Sequence, residues 1–204
     1  MRDDPTIPRS LEEIERHCFV QLGRAVRDRR SAFHLAVLAS TGLDGFPAAR
    51  TVVLRAADGA SRSLRVHTDR RSPKAAELAA DPRVALLFYD PQARLQFRFR
   101  AHATLHADDA AAHEVWTGVA ATSRRCYLGL APGTPSATPI SGLPADLESR
   151  APSPEESAAG RPNFAVVQAR LRGLDWLHLA AGGHRRARFD WPEDGTPTAT
   201  WVAP

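Results

Sequence analysis

The chain has 204 residues, of which 43% are hydrophobic and 25% charged, and these proportions are typical of a globular protein rather than a disordered or fibrous one. No apolar run approaches the length of a membrane span, and the first residues lack a signal-peptide pattern, so we expect a cytoplasmic protein with no membrane partner. The formal net charge of +4 permits nucleic-acid binding, but the arginines are scattered among acidic residues and no aromatic residues interleave with a basic patch, so we expect no nucleic-acid partner.

The N-terminal half of the chain alternates strands with one inserted helix. Ser10 and Glu13 form a capping box, and apolar residues at helical spacing, including Cys18, predict an amphipathic helix to about residue 29. Strands are predicted over 33–40, 46–56 and 64–68, with hairpin turns between them. Ser72 followed by Pro73 predicts a helix start, and that helix should stop at residues 81–82.

The C-terminal half adds two strands over 83–89 and 93–106 and a second long helix from residue 108 to about 125. Residues 131–162 contain seven of the sixteen prolines and read as a long loop, with a one-turn helix at 153–156. Strands over 164–180, 184–191 and 200–202 end the chain. This succession of hairpins predicts one domain spanning residues 1–204, mainly antiparallel β with flanking helices, closed as a small or split β-barrel.

Lys74 is the only lysine among the 27 basic residues of types Lys and Arg. It follows a predicted strand and lies at a predicted helix start, beside the hydroxyls of Thr68 and Ser72. Helix N-termini bind anions through their N–H groups and the helix dipole, and an ammonium adds a compact charge. A lone lysine is also compatible with a solvated surface position, but Arg50 and Arg55 on the preceding strand could complete a phosphate site. Their odd spacing requires a bulge if both are to reach one ligand.

The strand over 93–106 alternates without interruption between apolar and polar residues. Its apolar set must face the barrel interior, which directs Gln96, Arg98 and Arg100 outward, toward a ligand, a second subunit or solvent. No metal site is predicted, because Cys18 and Cys126 have no metal-ligand spacing.

Four motifs occur in a fixed order: Arg-Thr-Val-Val-Leu-Arg at 50–55, His-Thr-Asp-x-x-Ser-x-Lys at 67–74, Asp-Pro-Arg-Val-Ala-Leu-Leu-Phe at 81–88 and Leu-Gln-Phe at 95–97. Together with Asp-Trp-Leu at 175–177, the basic hairpin at 185–189 and the final Val-Ala-Pro, this set resembles the pyridoxamine 5′-phosphate oxidase family of FMN-binding split barrels. The resemblance covers nearly the whole chain after the first helix, and is strongest to the shorter FMN-binding branch of the family.

The resemblance implies an FMN cofactor at the two-fold interface of a homodimer. It assigns cofactor contacts to residues of the first two motifs, to a glutamine from the neighbouring subunit and to a C-terminal arginine. These residues are Arg50, Thr51, Val52, Val53, His67, Thr68, Ser72, Lys74, Gln96 and Arg188.

Other positions depart from the family pattern. His67 stands where tyrosine is common, Pro73 replaces a phosphate-binding arginine, and Arg55 replaces a substrate-binding lysine. The family's Arg-x-His substrate motif is here Arg-Arg-Ala at 185–187. FMN binding is compatible with these changes, whereas they argue against pyridoxamine phosphate as the substrate.

The sequence therefore predicts an FMN-dependent oxidoreductase in which a small anionic substrate gives a hydride to the flavin, and no catalytic acid or base is assigned. Candidate substrate-binding residues are Arg55, Arg124, Arg185 and Arg186. Arg124 could instead interact with the C-terminal dipole of the second helix. The alternative function is a flavin-binding protein without turnover, for storage or redox sensing.

Overall fold

A computed structural model describes residues 7–204 of the chain. Its α-helices are α1 (Leu11–Arg27), α2 (Pro73–Ala80), α3 (Ala110–Thr117), α4 (Ala121–Arg124) and α5 (Pro154–Ala158). Its strands are β1 (Leu35–Thr41), β2 (Pro47–Asp58), β3 (Ser63–Asp69), β4 (Arg83–Asp90), β5 (Leu95–His106), β6 (Phe164–His178), β7 (Arg185–Asp190) and β8 (Thr198–Val202). Each strand predicted from the sequence is present, and the capping box of α1 is formed.

The sheet closes on itself through strand β6. The strand order is β3-β2-β1-β4-β5-β6-β7-β8, and β6 also pairs with β3, so six antiparallel strands form a closed barrel. The first part of β6, from Phe164 to Arg170, pairs with β3, while its later residues from Gly173 pair with β7. Strands β7 and β8 therefore continue the sheet beyond the closed barrel. The predicted mainly antiparallel β-barrel with flanking helices is confirmed.

The barrel core follows from the alternation of β5. Phe97 and Phe99 are completely or almost completely buried, while Arg98 and Arg100, which alternate with them, are exposed. Helix α1 covers the core with a stripe that includes Ile14, Cys18 and Leu22, all of which are fully buried. This continuous apolar contact is the main driving force for folding.

Two strand pairings contain a register shift, and one of these shifts lies at Arg55. The β2–β3 register shifts between Leu54 and Ala56, so Arg55 lies at the irregular position. A similar shift occurs in the β5–β6 pairing, where Arg100 is opposite Gly173 and Ala101 is opposite Leu171, so the extra residue is Arg172 of β6. A β-bulge re-aims side chains and increases the local twist, and a bulge is the condition under which Arg50 and Arg55 could reach one ligand.

The prediction of one long helix over 108–125 is wrong. Helix α3 ends at Thr117 with Gly118 as its C-cap, and the chain bends before α4 begins at Ala121. The guanidinium of Arg124 folds back and donates to the carbonyl oxygens of Trp116 and Thr117, at 2.7 and 3.2 Å. Apolar periodicity could not reveal this break, because Trp116 and Tyr127 still pack on one cluster with Phe164.

The proline-rich segment 131–162 is mostly irregular, as predicted, and its one-turn helix is α5 with a complete capping box at Ser153 and Glu156. Arg150 pairs with Asp146 and Glu156 and so ties this segment together. Within residues 7–204, none of the helices is long and apolar enough to cross a membrane.

Candidate functional site

The hydroxyls of Thr68 and Ser72 meet the ammonium of Lys74 where β3 turns into α2. Lys74 Nζ donates to Thr68 Oγ1 at 2.6 Å and to Ser72 Oγ at 3.4 Å, and the two hydroxyl oxygens are 3.3 Å apart. Ser72 is the N-cap of α2, as predicted, but its side chain makes no capping hydrogen bond. The hydroxyl instead contacts Thr68 Oγ1 and Lys74 Nζ. The serine that the sequence predicts as a helix cap therefore contributes its side chain to this cluster.

Arg50 approaches the same helix from β2. Its Nη2 donates to Glu77 Oε2 at 2.5 Å, and its Nη1 donates to Ser40 Oγ. Ser40 also donates to Glu77 Oε2, at 2.6 Å, and Glu77 is buried. Ser40 and Glu77 are parts of the site that the sequence argument missed. A carboxylate on the apolar face of the short alanine-rich helix α2 was the available signal for Glu77.

The electrostatics of this cluster favour an anion. Partial burial, followed by the neighbouring charge of Arg50, lowers the pKa of Lys74. The carboxylates of Asp69 and Glu77 compensate these cations, and Asp69 is itself paired with Arg71, so Arg50, Arg71, Lys74, Asp69 and Glu77 together carry a net charge of +1. The helix start and the two hydroxyls supply further hydrogen-bond donors. This donor set fits a phosphate monoester.

A second group of predicted cofactor residues lies on the outer face of the barrel. Thr51 and Val53 point outward from β2, opposite Val37 and Leu35 of β1. Gln96 points outward from β5 opposite Tyr89 of β4. Val52, by contrast, is buried in the barrel wall, so a ligand on the outer face could contact only its backbone.

Leu35 and Val37 are exposed on this same face, and Tyr89 is 43% exposed. The predicted cofactor residues Thr51, Val53 and Gln96 therefore border an apolar surface rather than a solvated polar edge. Exposed apolar residues on neighbouring strands are typical of a surface that another molecule covers.

Arg55 and His67 form a separate environment on the side of the barrel that Phe164 covers. The rings of His67 and Phe164 are 5.0 Å apart in an edge-on arrangement. His67 Nε2 and Arg55 Nε are buried atoms with no hydrogen-bond partner. Burial, followed by the charges of Arg55 and Arg65, lowers the pKa of His67 to about 4. His67 is therefore neutral at physiological pH.

The hydrogen bonds of Arg124 match the helix-terminus role that the sequence left open. In addition to its bonds to the end of α3, its guanidinium lies 4.6 Å from the centre of the Trp116 ring. Its assignment to a substrate stays a prediction, since this side chain is already held by the protein.

Strand β7 carries the three C-terminal arginines Arg185, Arg186 and Arg188. Arg186 makes a bidentate ion pair with Asp175 of β6, at 2.9 and 2.7 Å, and Arg188 Nε lies 3.4 Å from the same carboxylate. Asp175 entered the sequence argument only as part of a motif, and no role was assigned to it. The structure places it at the centre of this arginine group.

The family model described as pyridoxamine 5′-phosphate oxidase matches residues 22–137, which is more than half of the chain. The matched segment includes the cluster around Lys74 and also Gln96, and it ends before β7. A pyridoxine/pyridoxamine 5′-phosphate oxidase 2 of Arabidopsis thaliana is 27% identical over 175 residues, covering 81% of this chain and 83% of the relative. An oxidase of the same description from Thermosynechococcus vestitus is 43% identical over 65 residues, but that match spans only 32% of this chain and 30% of the relative.

Solved structures share the fold across the whole chain. A pyridoxamine 5′-phosphate oxidase-related, FMN-binding protein of Nostoc punctiforme has a TM-score of 0.71 at 22% identity, with 93% of this chain and 96% of that chain covered. PhzG of Burkholderia lata has a TM-score of 0.67 at 15% identity, with 100% and 98% covered. The matching motifs, the closed barrel and the family model agree, and the chain belongs to the pyridoxamine 5′-phosphate oxidase family.

Proposed function

We propose that this chain binds FMN and acts, as a homodimer, as an oxidoreductase of the pyridoxamine 5′-phosphate oxidase type. The observation that carries the proposal is the cluster of Arg50, Thr68, Ser72 and Lys74, with its two cations and two hydroxyls at the start of α2. Guanidinium and ammonium groups in such a setting bind phosphate by charge-assisted hydrogen bonds. The FMN-binding relative from Nostoc punctiforme has the same fold, which is consistent with this assignment.

In this proposal the ring of the flavin lies along the outer face of the barrel, beside the backbone of Thr51, Val52 and Val53. Gln96 contacts the ring from the neighbouring subunit, because it points away from its own barrel. His67 is assigned to the cofactor site through its position next to Thr68 on β3, although its ring packs on Phe164, and Arg188 reaches the flavin from the β7 hairpin. The exposed apolar surface around Leu35 and Val37 is the natural contact for a second copy of the chain.

When bound, FMN supplies a hydride acceptor that is reoxidised by oxygen or another acceptor. The residues of this chain bind and orient the reactants, and none of them is assigned as a catalytic acid or base. Arg55, Arg124, Arg185 and Arg186 are the proposed contacts of a small anionic substrate. The cytoplasmic location stays a prediction.

An absorbance spectrum of the purified protein is the first test. We expect the two visible bands of an oxidised flavin, and mass analysis of the molecule released on denaturation should identify FMN. A colourless protein that also takes up no added FMN would contradict the proposal.

The phosphate assignment has a sharper test in Arg50→Ala and Lys74→Ala. Each change should weaken FMN binding by about 1.5–3 kcal/mol, because each removes a charge-assisted hydrogen bond to phosphate. Riboflavin, which lacks the phosphate, should lose much less affinity. Arg70→Ala is the matched control, since it removes a cation of the same loop that is paired with Asp108 at 2.7 Å. Equal weakening of both ligands would show that the cluster does not hold the phosphate.

A flavin-binding protein without turnover is the second candidate. It is favoured by the state of Arg124, whose guanidinium is bound to the end of α3, and by the lack of a histidine at residues 185–187. Pyridoxamine 5′-phosphate should be added to the FMN-loaded protein in air, with hydrogen peroxide and the aldehyde product measured. Stoichiometric formation of both supports the oxidase. A flavin that no small anionic amine or alcohol bleaches under anaerobic conditions supports the second candidate.

A further inference from the structure

The carboxylate of Asp175 contacts three guanidinium groups on the outer face of β5, β6 and β7. Arg98 Nη2 donates to its Oδ2 at 2.6 Å, and Arg186 donates to both oxygens, at 2.9 and 2.7 Å. Arg188 Nε is the most distant of the three, at 3.4 Å from Oδ2. Asp175 is paired across the strands with Arg98 on one side and Arg188 on the other, so the sheet register itself creates this meeting point.

The exposures of these side chains differ in an informative way. Asp175 has a relative side-chain exposure of only 17%, whereas Arg98 and Arg188 have 46% and 59%. Arg186, at 19%, is almost as little exposed as Asp175, so these two form the inner part of the group, and Arg98 and Arg188 form its exposed part. Arg98, Asp175 and Arg188 line a cleft of about 720 Å³ together with Thr198 and Thr200 of β8.

One carboxylate cannot neutralise three guanidinium groups, so the group keeps a net charge of +2. Partial burial of Asp175 opposes its ionisation, but the hydrogen bonds from Arg186 and Arg98 dominate and lower its pKa. The carboxylate is therefore charged throughout the physiological range, and it holds together cations that would otherwise repel one another. An exposed ion pair consists of one cation and one anion, and it stabilises a protein by about 0–1 kcal/mol. Surface stabilisation alone therefore does not require three guanidinium groups around one carboxylate.

We propose that Asp175 is a positioning residue, which holds Arg186 and Arg188 in the orientation in which they bind the anionic ligands of this site. The inference rests on the proposed function, where Arg188 is assigned to the flavin and Arg186 to the substrate. Asp175 itself accepts hydrogen bonds from these arginines and does not touch the ligand. Its role is to restrict guanidinium side chains that otherwise have many rotamers, so that less conformational entropy is lost on binding.

Asp175→Asn tests this role, with Asp190→Asn as the matched control. Asp190 lies on the same face and pairs with a single arginine, Arg100, at 2.6 Å. Each variant removes one negative charge from the same surface, but only the first releases Arg186 and Arg188. If net charge alone mattered, both variants would bind FMN more tightly and to the same extent. If Asp175 positions the arginines, Asp175→Asn should weaken FMN binding about tenfold, and Asp190→Asn should leave it within about threefold.

Asp175→Glu gives a rescue test, because it restores the charge and both acceptor oxygens on a side chain one methylene longer. We expect it to recover part of the lost affinity at an unchanged melting temperature. Equal FMN affinities in Asp175→Asn and Asp190→Asn would overturn the inference. If the wild type binds FMN and Lys74→Ala weakens that binding, such a result leaves the proposed function standing. A wild type that binds no FMN would overturn both.

Discussion

Lys74 and Arg50 meet through three different elements of secondary structure. Lys74 lies in the first turn of α2, Arg50 lies on β2, and Thr68 is near the end of β3. The residue types and their order along the chain predicted that these side chains lie near one another, and burial, followed by the charge of Arg50, lowers the pKa of Lys74. Glu77 was outside the prediction because its role depends on which face of α2 is turned toward Arg50. That orientation is a property of the packed helix.

His67 provides a prediction of pH dependence at the level of one residue. Its pKa is lowered from 6.5 to about 4 in the folded chain, so between these values the unfolded chain binds a proton that the folded chain does not. The free energy of unfolding should therefore fall as the pH drops from about 6.5 to about 4, by at most about 3 kcal/mol from this residue. His67→Phe should flatten that part of the stability curve, as measured by urea unfolding at several pH values.

His113→Gln is the control for this measurement, since His113 is exposed on α3. It should keep the slope of the wild type. An equal slope in the His67→Phe variant would mean that another group causes the acid sensitivity.

At the scale of elements, most boundaries follow from local signals. The capping boxes at Ser10 and Ser153 start α1 and α5, and Pro82 follows the end of α2. The break between α3 and α4 escaped the prediction because the apolar positions continue across it. A glycine at position 118 permits the helix to end, but the bonds from Arg124 determine how the next segment folds back.

Arg124→Ala separates the two roles that remain open for this residue. If it caps α3, the loss of the two carbonyl bonds and of the contact with Trp116 should lower the free energy of unfolding by about 1–2 kcal/mol. Thermal unfolding measures this change. Arg125→Ala is the control and should cost less, because its contacts to the carbonyls of Leu147 and Arg150 are longer, at 3.4 and 3.3 Å. An unchanged melting temperature with weaker binding of an anionic substrate would assign Arg124 to the substrate instead.

At the scale of the molecule, the outer face of β1, β2 and β4 is a surface on which apolar side chains are exposed. Val37 lies between Thr51 of β2 and Leu87 of β4 in the sheet, and Leu35 is opposite Val53. Both β1 residues are exposed in the chain described here. The proposed homodimer would bury this face and bring Gln96 of one subunit to the flavin of the other.

Val37→Glu tests the homodimer by placing a charge in the centre of this face. The variant should fold normally, because Val37 is outside the barrel core, but it should be monomeric by light scattering and bind FMN more weakly. Val20→Glu is the matched control, since Val20 is a similarly exposed valine that lies on helix α1 and not on these strands. It should leave the mass and the affinity unchanged. A dimeric Val37→Glu protein would place the subunit contact elsewhere.

The sequence alone determined the alternation of β5, the succession of hairpins and the residue types of the cluster around Lys74. These features depend on short-range patterns: the period of two along a strand, helix caps, and hydroxyls beside a helix start. The sequence also indicated that Arg50 and Arg55 could not share one ligand on a regular strand. The irregularity at Arg55 agrees with that argument.

Only the tertiary structure decided which side chains meet across distant segments. The pairing of β6 with β3 closes the barrel over a separation of about one hundred residues, and the β5–β6–β7 register brings Asp175 to three arginines. Contacts of this kind depend on register and on the packing of helices against the sheet, and these arise from the burial of the whole core rather than from any local pattern.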